Sequence, residues 1–265
     1  MNNYNYKIFN TDCIEKMKEL EDASIDMILC DLPYGTTDCA WDTVIPFDKL
    51  WEQYERIIKE DGAIVLFGNE PFSSLLRTSN LKLYKYDWKW DKINGANFLN
   101  AKYQPLKNVE DIMVFSKARV TNGTRPPIKY NPQGFKEHIE TKVNNSDSTG
   151  TFSSSSIKKG KEFTSTGHGY PKCIIQFKKD TGGFHPTQKP VALLEYLIKT
   201  YSNEGDTILD NCMGSGSTGV ACMNTGRDFI GIEMNEEYFD ICVSRLKEEE
   251  NRNKFTFGVR NRGKK

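Results

Sequence analysis

The chain has 265 residues, 36 basic and 36 acidic side chains and a formal net charge of zero, with 37% hydrophobic and 27% charged content. That suits a soluble globular protein with one large domain and room for an inserted module. No apolar stretch approaches the roughly 18 residues of a membrane span, and the polar start Met1–Tyr6 lacks a signal-peptide core. Seven scattered cysteines without a Cys-x-x-Cys pair, and three histidines not spaced with them, exclude a disulfide framework and a zinc site. Reduced thiols in the cytoplasm are the expectation.

Zero net charge hides a division. Residues 1–81 carry −8, residues 82–180 carry +9 and residues 181–265 carry −1. A basic middle is what a local phosphate-binding surface produces, and equally what a lysine-rich solvated face produces.

The first predicted element is the apolar run Ile25–Cys30, read as a buried strand that breaks into Asp31-Leu32-Pro33-Tyr34-Gly35. In open α/β sheets ligands bind where such strands end. An acid, free carbonyls and a flat ring on one stiff turn can hold a planar, amine-bearing base. Taken singly, Asp31 would read as a turn acid or helix N-cap and Tyr34 as a rim aromatic. Residues 48–60 carry Leu50, Trp51, Tyr54, Ile57 and Ile58 at helical spacing, and Gly62–Gly68 reads as a second buried strand. Strand, helix and strand in that order predict parallel pairing. Two more strands are predicted over Leu83–Trp90 and Glu110–Ser116.

From Arg119 to Asp180 the sequence turns rich in Ser, Thr, Asn, Gly and Lys, with four serines at 153–156. Tyr130, Phe135, Phe163, Tyr170, Ile174, Ile175 and Phe177 supply apolar anchors, so the segment reads as a small loop-rich insert rather than a linker. A second α/β block follows. Val191, Leu193, Leu194, Leu197 and Ile198 form a helical face. Thr207–Asp210 is a short strand, a helix runs to about Asn224, Asp228–Glu233 is a strand, and Glu236–Glu250 is a closing helix. The basic tail from Arg252 is expected to fray.

Gly214-Ser215-Gly216-Ser217-Thr218-Gly219 fits G-x-G-x-x-G between a strand and a helix, with Glu233 nineteen residues past the first glycine. A carboxylate there can accept from both hydroxyls of a ribose. A dinucleotide would set a pyrophosphate on the helix N-terminus. Asp210, four residues before Gly214, would repel it and suits the ammonium of a methionyl group. The pattern therefore favours S-adenosylmethionine over NAD.

Together, Asp31-Leu32-Pro33-Tyr34 and Asp210-x-x-x-Gly214-x-Gly216 resemble the amino-group DNA methyltransferases of adenine N6 or cytosine N4. The target motif precedes the cofactor motif, with a basic insert between, which resembles the β-group order. The likeness spans Asn10 to Leu246. Leu32 stands where the family usually has a proline, whose backbone carbonyl leucine also provides. The resemblance implies a Rossmann-like methyltransferase fold, a mostly parallel sheet flanked by helices. Its catalytic core would be residues 1–118 and 181–250, with a target-recognition insert at 119–180 and a basic tail at 251–265.

The resemblance also implies roles. Asp12, in Asn10-Thr11-Asp12-Cys13, would meet the cofactor's adenine amine. Thr187 and Lys189, in His185-Pro186-Thr187-Gln188-Lys189-Pro190, would face its methionyl carboxylate. Gly214, Gly216, Ser217 and Thr218 would form its loop, with Asp210 and Glu233 at either end. Asn108 and Glu110 would shape the target pocket, or simply belong to a strand. Asp31 and the carbonyl of Leu32 would each accept one N–H of the target amine, Pro33 would fix the turn and Tyr34 would stack on the base. Trp41 and Trp88 could contact DNA, but are read first as packing residues.

The expected activity is direct methyl transfer from S-adenosylmethionine to the N6 of a flipped adenine in double-stranded DNA, with no metal. A homodimer and a cognate restriction endonuclease are the expected protein partners. N4-cytosine, RNA or a protein glutamine amide are alternative substrates. A nucleic-acid-binding module with a vestigial fold is the non-enzymatic alternative. No Pro-Cys pair, which C5-cytosine enzymes use for their nucleophile, occurs.

Overall fold

The computed structural model describes residues 4–35, 43–145, 160–180 and 188–262. The chain divides into two compact units. The first comprises residues 1–131 and 173–265, and the second residues 132–172.

The first unit is built on an eight-stranded sheet. Its strands are β1 (Tyr6–Asn10), β2 (Ile25–Cys30), β3 (Ile58–Gly68), β4 (Tyr84–Ala96), β5 (Lys107–Phe115), β8 (Ile174–Gln176), β9 (Thr207–Asp210) and β10 (Asp228–Glu233). The spatial order is β1-β10-β9-β2-β3-β5-β4-β8. Strands β1, β10, β9, β2 and β3 run parallel, while β5 is antiparallel to both neighbours.

Strand β2 is buried along its whole length because both faces are covered. Met27 and Leu29 pack with α4 (Val191–Tyr201), α5 (Ser217–Thr225) and α6 (Glu236–Arg262). Ile28 and Cys30 pack with α1 (Cys13–Lys18), α2 (Phe47–Ile57) and α3 (Phe72–Ser79). Period-two alternation in a run with no polar face sends successive side chains into two separate cores. Trp88 is buried, its indole donating to the Tyr201 hydroxyl, in keeping with a packing role. Trp41 lies outside the described residues.

The inserted unit is narrower than the expected 119–180. It holds an antiparallel pair, β6 (Lys136–Val143) and β7 (Glu162–His168), beside a Phe135–Tyr170 ring contact at 4.6 Å. Residues 119–131 stay with the first unit because Lys129 reaches Asp206 at 2.6 Å and Asp26 at 3.1 Å. Residues 173–177 stay with it because β8 pairs with β4 and the Phe177 carbonyl accepts the Trp90 indole. The expected frayed tail is instead helical to Arg262, a continuation of α6. Strand β1 and helix α3 are additions to the elements read from sequence. Among the described residues no helix is long and apolar enough to cross a membrane.

Asp26 ties the sheet beneath the site. Its carboxylate accepts from Lys59, Lys129 and the Thr207 amide, joining β2, β3 and β9. Burial works to raise this carboxyl, but those three donors outweigh it and hold it below the usual aspartate range. A depressed folded value gives stability that is present above the unfolded value and lost as pH falls through the folded one. Asp26→Asn should therefore cost about 1–3 kcal/mol near neutral pH. The gap to wild type should close as pH drops below the ordinary aspartate range. Urea unfolding at several pH values checks this, and a gap that stays constant with pH would count against it.

Candidate active site

Strands β2 and β9 are hydrogen-bonded parallel neighbours, with Met27 opposite Ile208 and Ile28 opposite Leu209. Both therefore end on the same edge of the sheet. The loop that follows β2 and the loop that follows β9 open into one cavity of about 680 Å³. Asp31, Leu32, Pro33 and Tyr34 line it from one side, and Asp210, Gly214, Ser217 and Thr218 from the other. Asp12 and Glu233 complete the wall, since Asn10 on β1 pairs in register with Glu233 on β10.

At the glycine-loop end, three carboxylates sit at three neighbouring strand ends. Asp210 is buried, accepting from Thr218 Oγ1 at 2.6 Å and from the Cys212 amide at 3.1 Å. Burial pushes its carboxyl up to about 6 against the pull of those donors. Glu233 accepts from the Gly214 amide and the Asn235 amide, each at 2.9 Å, and burial likewise raises it. Asp12 caps α1 by accepting from the Glu15 amide at 3.0 Å.

Gly214 has φ +50° and nothing within 4 Å of where a Cβ would stand, so the cavity wall is bare backbone there. Gly216 does a different job. It does not line the cavity; its φ is +79° and a Cβ would collide with Cys242 of α6. Ser217 accepts from Arg245 of α6, which also donates to the Ser215 carbonyl, so α6 grips the loop from behind.

At the other end, Lys189 is buried between two acids. Its ammonium lies 2.5 Å from Asp31 Oδ2 and 2.9 Å from Glu110 Oε1. Lys92 holds the other Glu110 oxygen at 2.6 Å. Burial pushes Glu110 up, but the two ammonium groups win and hold it below the usual range. Burial lowers Lys189, yet Asp31 and Glu110 raise it overall, so it stays charged. The Tyr34 hydroxyl donates to Asp31 Oδ1 at 2.6 Å, and its ring stacks on Phe72 with centroids 4.8 Å apart. Burial, then the Asp31 and Glu110 charges, raise the phenol well above its usual range.

A family model described as DNA methylase, covering N6 and N4 enzymes, matches residues 25–244. The chain belongs to the N6/N4 DNA methylase family. As a member it is a DNA methyltransferase that draws its methyl group from S-adenosylmethionine. It is 28% identical to the type II methyltransferase M.HpaI of Haemophilus parainfluenzae, covering 92% of this chain and 75% of the relative. It is 26% identical to the DNA adenine methyltransferase YhdJ of Escherichia coli K12, covering 90% and 82%. Among solved structures, the M1.HpyAVI–SAM complex aligns with a TM-score of 0.59 at 24% identity, over 91% of this chain and all of that one. The cytosine-N4-specific PvuII methyltransferase aligns with 0.62 at 16% identity, over 94% and 92%. These likenesses bear out the Rossmann-like fold.

The site of this DNA methylase fits its methyl donor by donor-set chemistry. A bare glycine wall and carboxylates at three strand ends suit hydroxyls, an amine and an ammonium, and would repel a pyrophosphate. The structure brings together Asp31, Leu32, Pro33, Tyr34, Lys189, Asp12, Asp210, Gly214, Ser217, Thr218 and Glu233 in one cavity. Thr187 lies outside the described residues. Lys189, expected to face a methionyl carboxylate, has its ammonium committed to Asp31 and Glu110. Glu110, expected as a pocket-shaper or a plain strand residue, is the charged hub of that cluster. Phe72, Lys92 and Arg245 were missed; none carries a sequence signal, since each acts through a partner distant in the chain. Asn108, the other candidate pocket-shaper, donates to Asp91 instead. Among the described residues no cluster could hold a metal ion.

Lys189→Met would leave the Asp31 and Glu110 carboxylates side by side without their shared cation. Breaking a buried pair on one side costs about 3–5 kcal/mol. A fall of that size in unfolding free energy by urea titration is the expected outcome. An unchanged midpoint would show that the ammonium does not hold the two acids.

Proposed function

We propose that this methyltransferase modifies the N6 of an adenine turned out of double-stranded DNA, at a specific sequence, by direct in-line transfer. The observation that carries this reading is the shared cavity between the Asp31–Tyr34 turn and the Asp210–Thr218 loop. Two adjacent binding ends fit a methyl donor and a methyl acceptor held face to face, and positioning of that kind supplies much of the rate. The DNA adenine methyltransferase YhdJ among the relatives supports adenine, as does Asp31 with Tyr34 in the target motif.

S-adenosylmethionine, when bound, supplies an electrophilic methyl carbon. The chain's own residues prepare the acceptor. An exocyclic amine is a weak nucleophile because its lone pair is shared with the ring. Asp31 accepts one N–H and the Leu32 carbonyl the other, which draws the nitrogen towards tetrahedral geometry and withdraws its lone pair from conjugation with the ring. Pro33 fixes the angle between the two acceptors. Lys189 pairs with Asp31 Oδ2 and limits its rotation. Tyr34 must release Asp31 Oδ1 for the amine to reach it, and its ring is then free to stack on the base. Stacking of about 1–3 kcal/mol offsets a share of the few kcal/mol spent on flipping.

On the cofactor side, Asp210 accepts the methionyl ammonium, Glu233 the ribose hydroxyls and Asp12 the adenine amine. The 132–172 unit and the basic residues around it read the target site. Type II names among the relatives support a restriction–modification setting with a cognate endonuclease, and the β-group resemblance supports a homodimer. Six free cysteines among the described residues support a reducing, cytoplasmic location.

Incubation with labelled S-adenosylmethionine and unmethylated genomic DNA, followed by nucleoside mass spectrometry, should yield N6-methyladenine. Asp31→Ala should abolish the product while cofactor binding persists. N4-methylcytosine in its place, or full turnover by Asp31→Ala, would sink the reading.

Asp210 gives a second check. It is ionised above about 6 and neutral below. A neutral acid cannot pair with an ammonium, so cofactor affinity should fall roughly tenfold for each pH unit below that value. Calorimetric titration measures it, and Asp210→Asn should bind weakly with no such slope. A wild-type affinity flat from pH 7 to pH 5 would remove Asp210 from the ammonium site.

A further inference from the structure

The hairpin between β4 and β5 leaves the sheet at the rim of the cavity. Trp90 and Lys92 on its outgoing strand and Glu110 on its returning strand line the cavity wall. Beyond them the chain presents Phe98, Leu99 and Tyr103, which are 75%, 81% and 87% exposed. Single exposed apolar residues are ordinary on a protein surface. Three large ones within six residues, beside an active site, are not. The hydrogen bonds described at the tip are internal. Asn100 donates to Asn97, Ala101 to Phe98 and Tyr103 to Asn100. A short 3-10 turn over Phe98–Asn100 shapes it.

The base of the hairpin is held in a costly conformation. Ile93, a β-branched residue, has φ +69°, and Asn97 has φ +68°. The Ile93 amide and the Asn108 side chain both donate to Asp91 Oδ1, which clamps the point of departure.

The charge of the hairpin says what it meets. From Lys92 to Val109 there is no acid, while Lys102 and Lys107 are free of the ion pairs described elsewhere and five amide side chains are interspersed. Lysines around exposed rings suit a phosphate backbone with stacked bases inside it. We propose that this hairpin is a wedge: Phe98, Leu99 and Tyr103 enter the duplex beside the target base, and Lys102 and Lys107 hold the flanking phosphates. The proposal rests on the DNA methylation reading above and adds the surface that opens the duplex. Apolar side chains placed between base steps unstack them, which lowers what remains to be spent on turning the base outward.

The test is the triple variant Phe98→Ala, Leu99→Ala, Tyr103→Ala, whose exposed positions leave both cores intact. Far-UV circular dichroism, melting temperature and S-adenosylmethionine affinity should match wild type. On a matched duplex carrying the sequence found methylated in genomic DNA, kcat/KM should fall about tenfold or more. On the same duplex with an abasic site opposite the target adenine, activity should return to within about threefold of wild type, because little prying is left to do. With 2-aminopurine at the target position, the fluorescence rise seen on binding wild type should be lost. Equal activity of variant and wild type on the matched duplex overturns the wedge alone. Equal losses on both duplexes, with sedimentation showing a dimer turned to monomer, also overturn it and make the surface a self-association face. A wild type that methylates neither duplex overturns the methylation reading itself, and is told apart because the triple variant plays no part in that result.

Discussion

The chemistry of this enzyme depends on β2 and β9 being parallel neighbours in one sheet. They lie some 180 residues apart in the chain, yet the Met27–Ile208 and Ile28–Leu209 pairs fix their ends on the same edge. Parallel strands cannot be joined by a tight turn, so each is followed by a loop and a helical crossover. The loops of adjacent strands must then share a crevice. The Asp26 carboxylate reinforces this at the opposite end of the strands, where it accepts the Thr207 amide. A slip of one residue between β2 and β9 would turn the target loop against the sheet and break the cavity.

Within that crevice, charge divides the work. Both ends are acidic, but only one acid cluster is neutralised. Lys189 and Lys92 sit on Asp31 and Glu110, whereas Asp12, Asp210 and Glu233 meet backbone amides, a hydroxyl and open space. The uncompensated end can accept a cationic ligand, which a desolvated carboxylate near 6 shows to be electrostatically unfinished. At the compensated end two ammonium groups face two carboxylates, which suits a neutral base under the reading proposed above.

Much of this is legible in the sequence, for reasons that differ by residue. Ile25–Cys30 reads as a buried strand because no polar residue but Asp26 interrupts it, Thr207–Asp210 reads as a short strand before the glycine loop, and that loop reads from local spacing. Strand β1 escapes because Tyr6–Asn10 is half-buried and alternates poorly. The compact unit 132–172 lies inside the expected 119–180, because Ser, Thr, Asn and Lys continue past both of its ends in the sequence. What holds residues 119–131 to the first unit is a set of long-range contacts, namely the Lys129 ammonium on Asp26 and Asp206, the Asn131 amide on the Thr200 carbonyl and Ile128 in the core, and composition cannot display that. The Lys189–Glu110 pairing is hidden in the same way. A basic residue beside a cofactor motif suggests an anionic ligand, and only the fold shows that two carboxylates of the chain itself have claimed it.

Tyr34 ties the aromatic ring of the turn to its own acid. Its ring is half-buried against Phe72, and its hydroxyl donates to Asp31 Oδ1. Asp31 is partly exposed, and losing the hydroxyl's bond to a charged acceptor there would cost about 1–3 kcal/mol. Under the reading proposed above, an incoming amine and the Tyr34 hydroxyl compete for that oxygen. Their exchange would conserve the number of hydrogen bonds to Asp31 and let the ring turn from Phe72 towards the base, so that the acid and the stacking face act together because one hydrogen bond links them.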